Sequence, residues 1–439
     1  MKRSFTPALL ALGLLVLLAA CGGGGGGGVS PNGVYKLTVY EADGTTPVAG
    51  ARVAVFNADN IFVAVKETSV TGLVSYTLHY GVYTARVQAA GFEPSPPQGT
   101  GSVPFTVVRA ATHSASVNLD ALAAPATVAV IRGNADTAGA LIVAESTSAP
   151  GVASSGFTDS DGNYVLFNVV PGDYTVTAFK AGFVSTTALQ TVAALDNVTV
   201  NLDVTAQSSL ATVSGSLTFL AAQNGVIDIT LRHPVTLDTI PGLNTTNSST
   251  TYALARVPPG DYLIWATFAN DDYVMDPDWI NKNGGYPAAL EISVAGSNLD
   301  FDLSITDAVI LASPTNTAAV VVPAVVDTLT PDFQWTAYPQ TKQYVVEVFD
   351  LEGNSIWGGY DFDILTNNAT PRHPLIGTAT SATYNFDASA AQDLADGGIY
   401  LWRVYAFRDG TGSEPGIDYV AISSSEEQMG LFRVALPPP

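Results

Sequence analysis

Residues 168–183 read NVVPGDYTVTAFKAGF, residues 256–268 read RVPPGDYLIWATF, and residues 80–92 read YGVYTARVQAAGF. Aligned on Tyr83, Tyr174 and Tyr262, the three copies lie 91 and 88 residues apart. A period near 90 is too long for a solenoid repeat and suits a small β-sandwich. After each tyrosine the chain alternates: Tyr174, Val176 and Ala178 point one way, Thr175 and Thr177 the other. Tyr262, Ile264 and Ala266 repeat this, as do Tyr83, Ala85 and Val87. Period-two alternation predicts a strand with one face on a core. Before two of the tyrosines stand Pro171-Gly172 and Pro259-Gly260. A fixed φ followed by a residue free to take positive φ predicts a tight reversal into the strand. Ten residues upstream, Tyr164 and Tyr252 open what reads as the preceding strand.

The rest of the composition agrees with an all-β chain. Of 439 residues, 47% are hydrophobic and 13% charged, with 40 Gly and 26 Pro as punctuation. That excludes disorder and favours strands and turns over long helices. The length asks for three or four domains. The formal net charge of -22 repels phosphate backbones, so nucleic acid is not an expected partner.

Each unit opens with a strand pair, as in YKLTVY (35–40), the turn EADGTTPVAG (41–50) and ARVAVF (51–56). The order of acidic turn, Pro-Val-Ala-Gly-Ala, strand, Asp-rich turn and PGDYTVTAFKAGF resembles the carboxypeptidase regulatory-like domain. The resemblance is strongest over 127–203, good over 34–119, where the Pro before Gly81 is missing, and weaker over 210–303, which departs after Ala266. It implies a prealbumin-like sandwich and an accessory role, because the peptidase's zinc site belongs to a separate catalytic domain. Residues 308–436 are worded differently. TPDFQW (330–335), QYVVEVF (343–349) and GIYLWRVY (398–405) resemble a fibronectin type III or related Ig-like sandwich, with Trp335 in its core and Tyr400, Trp402 and Val404 facing inward. The expected plan is therefore tandem β-sandwiches at 34–122, 123–205, 206–306 and 307–435. The short joints between copies suggest beads on a fairly stiff string.

The N-terminus has the form of an export signal. Lys2 and Arg3 precede the apolar run ALLALGLLVLLAA (8–20), too short to span a bilayer comfortably and shaped like the helix of a signal peptide, here residues 1–20. Leu18-Ala19-Ala20-Cys21 resembles the lipobox of bacterial lipoproteins, which implies cleavage before Cys21 and its lipidation. Cys21 is the single cysteine, so no disulfide framework exists. Several acyl chains anchor stably where one does not. Gly22 to Gly28 then form a flexible tether ending near residue 33. A residue other than Asp after the lipidated cysteine implies the outer membrane or cell surface of a bacterium.

Reactive constellations are not evident. His79, His113, His233 and His373 fit no metalloprotease spacing, and no nucleophile elbow or phosphate loop occurs. His113 shares a strand face with Ala115, Val117 and Leu119 and reads as packed; His233 and His373 precede proline and read as loop residues. Asp159, Asp161 and Asn163 begin like a calcium loop, but its twelfth position is Val170 where a Glu is required, so a hairpin turn is favoured. The third copy offers a candidate ligand loop, FANDDYVMDPDWINKNGGYP (268–287), with Asp271, Asp272, Asp276, Asp278 and Trp279. Its carboxylates suit calcium and its aromatic rings beside acids suit a sugar, but an acidic solvated loop with Trp279 tucked against the sandwich is the favoured reading. Trp265 falls on the strand face opposite Tyr262 and is a candidate exposed aromatic. The expected function is a non-enzymatic, lipid-anchored stalk, adhesion or interaction module with a protein or polysaccharide partner. Carbohydrate binding, or service to a secreted hydrolase or peptidase, are the alternatives.

Overall fold

Alternating Val, Thr, Tyr and Ala between Gly- and Pro-rich turns leave the chain little choice but paired strands. The computed structural model describes residues 30–437 except 59–60, 97–103, 221–225, 248–249, 268–272, 278–288, 317–322, 351–353, 364–367, 411–418 and 426–428. The signal segment, Cys21 and Gly22 to Gly28 lie outside the described residues; strand pairing begins at Asn32, just before the expected end of the tether at residue 33. The described chain is all-β, arranged as tandem sandwiches of small sheets. None of its helices is long and apolar enough to cross a membrane.

One topology is built three times. In the first sandwich the opening strand Asn32–Glu41 lies antiparallel to Leu73–His79 and parallel to Thr112–Leu119. In the second, Ala129–Asn134 lies antiparallel to Asn163–Val169 and parallel to Asn197–Thr199. In the third, Ala211–Phe219 lies antiparallel to Thr251–Val257 and parallel to Leu299–Asp300 and Leu303–Asp307. The facing sheets place Arg52–Asn57 beside Gly81–Gln88, Leu141–Ser146 beside Gly172–Phe179, and Ile227–Arg232 beside Gly260–Thr267. The third copy keeps this plan although its sequence is the most divergent.

The three aligned tyrosines occupy separate cores. Tyr83 packs with Val39, Val53 and Leu119; Tyr174 with Ile131, Leu166 and Val176; Tyr262 with Val213, Ile229 and Leu254. The parallel contact at each opening strand demands a glycine. A Cβ on Gly133 would sit 1.7 Å from the Val200 carbonyl, and one on Gly215 2.0 Å from that of Phe301. The hydroxyls of Tyr164 and Tyr252 donate to those same two carbonyls, at 2.6 and 2.5 Å.

The fourth sandwich packs Phe333, Trp335, Tyr400, Trp402 and Val404 in one core, as the sequence suggested for its inward face. Its larger sheet is covered on the other side as well. Tyr405 and Phe407 are fully buried there with Val345 and Ala369, under strands Tyr360–Asp363 and Asn368–Pro371. The long 350–390 stretch, awkward for a plain two-sheet domain, supplies that cover. Buried Glu347 is paired there with Arg372 at 3.3 Å and accepts from the Tyr405 hydroxyl at 3.2 Å.

Candidate functional site

The repeated phrase closes a small ring of its own. Tyr83, Tyr174 and Tyr262 each donate a hydrogen bond to the carbonyl four residues back, on His79, Val170 and Pro258, at 3.0, 2.7 and 2.9 Å. Each ring folds over the glycine two residues before it. Burial pushes the Tyr174 hydroxyl pKa upward. One expectation is corrected here. The left-handed residue of the reversal is not the glycine but Asn168, φ 58°, and Arg256, φ 61°, each six residues before its tyrosine. Both sit where the ladder to the opening strand slips, between Leu166 and Val169 and between Leu254 and Val257. A β-bulge at that point turns the strand, so the glycine can stay extended.

Those two bulges also reach the preceding sandwich. Ala90-Gly91-Phe92 is the turn that ends the first copy, with Gly91 at φ 79°. Asn168 grips it from the second sandwich: its Oδ1 accepts from Gly91 N–H at 2.9 Å, and its Nδ2 donates to the carbonyls of Phe92 and Ala89 at 2.8 and 3.2 Å. Ala181-Gly182-Phe183 ends the second copy, with Gly182 at φ 83°. Its Gly182 N–H donates to the Arg256 carbonyl of the third sandwich at 2.8 Å. The connecting segments are stitched to the same turns, Leu122 N–H to the Gly91 carbonyl and Gln207 N–H to the Gly182 carbonyl, both at 2.9 Å. The joints are thus equivalent, with a side-chain acceptor at one and a main-chain acceptor at the other.

The first three sandwiches meet side by side as well as end to end. Phe62 of the first stacks on Phe157 of the second, ring centroids 4.4 Å apart, with Phe56 edge-on at 5.5 Å. Ala54, Val65, Leu141 and Val143 join them in an apolar seam continuous with the third core. Buried Arg52 crosses the seam, donating to the carbonyls of Phe157 and Asn163 and pairing with Glu67 at 3.1 Å. At the centre lies buried Asp238, from the third sandwich. It pairs with Arg86 of the first at 2.5 Å and accepts from the Ser155 hydroxyl of the second at 2.5 Å. Burial alone would raise the Asp238 pKa; Arg86 and the Ser155 and Thr236 hydroxyls outweigh it and hold the carboxyl below its ordinary value. A string of beads touching only at their ends is therefore not what forms.

His233 lies in the turn after strand Ile227–Arg232, as expected, but its ring belongs to this junction. It is buried edge-on to Phe179 of the second sandwich, ring centroids 5.2 Å apart. Its Nδ1 accepts from Val235 and Thr236 N–H, and its Nε2 lies 3.9 Å from Glu145. Burial lowers its pKa to about 4, against the opposing pull of Asp238. His113 is packed, stacked on Tyr35 and Phe105. Asp159 caps its own hairpin, its Oδ1 accepting from Asp161 and Asn163 N–H at 3.0 and 2.9 Å, the arrangement of a turn.

Of the candidate ligand loop, Asp271, Asp272, Asp278 and Trp279 lie outside the described residues. Asp276 is buried beside strand Leu303–Asp307, where its N–H donates to the Ser304 carbonyl at 2.9 Å. Among the described residues no three His, Cys, Asp or Glu side chains converge as metal ligands would. Trp265 is half-buried, with the Arg232 guanidinium 4.2 Å from its ring centroid. The signal for the junction was present in the sequence. VAVF (53–56) and ALIVA (140–144) are continuous apolar runs where a strand covered on one face would alternate.

Comparison with known proteins bears on the second sandwich. Residues 127–207 match the carboxypeptidase regulatory-like domain, which is the second sandwich. No curated protein matches the chain. Among solved structures, the chain is similar to the Bacillus anthracis TIE protein, at 14% identity and TM-score 0.18, covering 63% of this chain and 51% of that one. A Streptococcal ancillary pilin is 12% identical with TM-score 0.19, over 62% of this chain and 98% of the pilin. The shaft pilin spaA from Lactobacillus rhamnosus GG is 11% identical with TM-score 0.18, over 64% and 100%. This chain spans about half the length of the first of these. Likenesses at this level carry no argument about function.

Proposed function

We propose that the chain is a non-enzymatic, lipid-anchored surface protein. Its first three sandwiches act as one rigid spacer and hold the fourth away from the membrane. Cys21 is the proposed anchor and the glycine run after it the slack. One observation carries the reading. Arg86 and Ser155, from two other sandwiches, meet the buried Asp238 carboxylate in one ion pair and one hydrogen bond. An enzyme keeps ionisable groups facing a substrate cleft; here the most buried charges are spent on joining domains. The fourth sandwich is fastened to the block too. The Ser423 hydroxyl donates to the carbonyl of Asp307, the last residue of the third sandwich's strand Leu303–Asp307, and Thr306 of that strand bonds Tyr338.

Rigidity is measurable by pulsed electron–electron distance spectroscopy. Spin labels at Thr38→Cys and Ser293→Cys, in a chain whose Cys21 is replaced by Ser, should give one narrow distance distribution. A broad or multimodal distribution would refute the spacer. Release of the Cys21→Ser chain from the membrane fraction of expressing bacteria should report the anchor separately.

A further inference from the structure

Two aromatic rings stand out among the described residues as the most exposed: Tyr80 at 44% and Phe386 at 56%. The Arg109 guanidinium covers Tyr80, 4.0 Å from its centroid. Phe386 has no such cover, and it is not on a loose loop. Its turn is pinned from several sides. Tyr384 donates to the Gln392 carbonyl, Ala390 N–H to Asn385 Oδ1 at 2.9 Å, and Trp357 Nε1 to Asp387 Oδ1 at 3.1 Å. Trp357, fully buried, braces Phe386 edge-on with centroids 6.2 Å apart. Single exposed apolar side chains are ordinary on protein surfaces. An aromatic ring held outward by a braced turn is less so.

The surface beside it is equally particular. Strand Asp332–Trp335 alternates strictly, Phe333 and Trp335 inward, Asp332 and Gln334 outward. Its neighbour Ser381–Thr383 puts Thr383 opposite Asp332 and Ser381 opposite Gln334. The result is a two-by-two array of carboxylate, amide and hydroxyls, with Thr383 donating to Asp332 Oδ1. This array and Phe386 line an open trough of about 510 Å³.

We infer that this trough is a glycan subsite, taking one or two residues of a neutral polysaccharide. The apolar C–H face of a pyranose stacks on an aromatic ring, and its equatorial hydroxyls need both donors and acceptors at the edge. Phe386 supplies the first; Asp332, Gln334, Ser381 and Thr383 supply the second. A peptide strand would want apolar pockets for alternate side chains, which the array does not offer. An acidic sugar would meet Asp332, no cation among the described lining residues, and a strongly negative chain. The inference goes beyond the spacer reading and does not rest on it.

Affinity electrophoresis of the full mature chain, cast with amylopectin, a β-1,3-glucan, a galactomannan or polygalacturonate, tests it. At least one neutral polymer should retard the chain. Phe386→Ala should weaken that retardation at least tenfold, Asp332→Asn by less, and Phe386→Trp should preserve or strengthen it. The near-ultraviolet circular dichroism of each variant, dominated by buried tryptophans such as Trp357, should stay that of the parent. The proposal is overturned if no neutral polymer retards the chain, if polygalacturonate alone does, or if Phe386→Ala binds as well as the parent.

Discussion

His233 shows how a single residue ties this molecule to pH. Its imidazole accepts two N–H bonds in a pocket shared with Phe179, and burial holds its pKa near 4 against an ordinary 6.5. The folded state therefore refuses a proton that the unfolded chain accepts. Between pH 6.5 and about 4 the unfolded state binds more protons, so stability falls as the solution is acidified through that window and levels off below it. A depression of this size corresponds to at most about 3 kcal/mol. Asp238 next to it loses its contribution in a lower window, as pH falls below its ordinary value of 3.8, so the two effects separate. His233→Asn keeps an acceptor for the Val235 and Thr236 N–H groups but cannot take the proton. Denaturant midpoints from pH 7 to 4.5 should slope less in this variant than in the parent. Equal slopes would mean that His233 titrates normally in the fold.

At the scale of an element, the bulge and the turn act as a matched pair. Ala-Gly-Phe is written at 90–92 and 181–183, but the third copy has Ala269-Asn270-Asp271 at the same distance from its tyrosine. The gripping bulge occurs at Asn168 and Arg256, whereas the corresponding strand of the first copy runs in register through Thr77. Two joints, two turns and two bulges are what three sandwiches need. Asn168 combines two demands, a left-handed backbone that Asn tolerates and an amide whose donor and acceptor both find partners. Asn168→Gly keeps the backbone and drops the amide, so it should cost about 1–3 kcal/mol from the lost hydrogen bonds. Asn168→Ala adds the left-handed strain of a Cβ, about 1 kcal/mol more. Urea unfolding gives the two numbers, and proteolysis within 120–126 should quicken in the same order. If Ala and Gly variants match the parent, the grip is incidental.

Over the whole molecule, the sequence was informative about each sandwich and poor about their arrangement. Tyr174, Val176 and Ala178 point inward as their alternation required, because one strand's own pattern records its own core. The seam was harder to read. Arg52, Arg86 and His233 look like surface or loop residues when judged by type, and only partners 54 to 152 positions away cover them. The loop carrying Asp271 stands out by composition alone, while Phe386, one phenylalanine in a turn, has no sequence pattern around it. The junction itself yields the last prediction. Asp238 belongs to the third sandwich, and replacing its partner Arg86 by Met leaves a buried carboxylate unpaired, a loss of about 3 kcal/mol or more. Were the sandwiches independent, that loss would be felt only around Asp238. In a single cooperative block it is shared, so native-state hydrogen exchange should show strands Arg52–Asn57, Leu141–Ser146 and Ile227–Arg232 losing protection together in Arg86→Met. Strand Gln343–Phe349, in a core of its own, should keep more of its protection. Loss confined to Ile227–Arg232 would show three domains that merely touch.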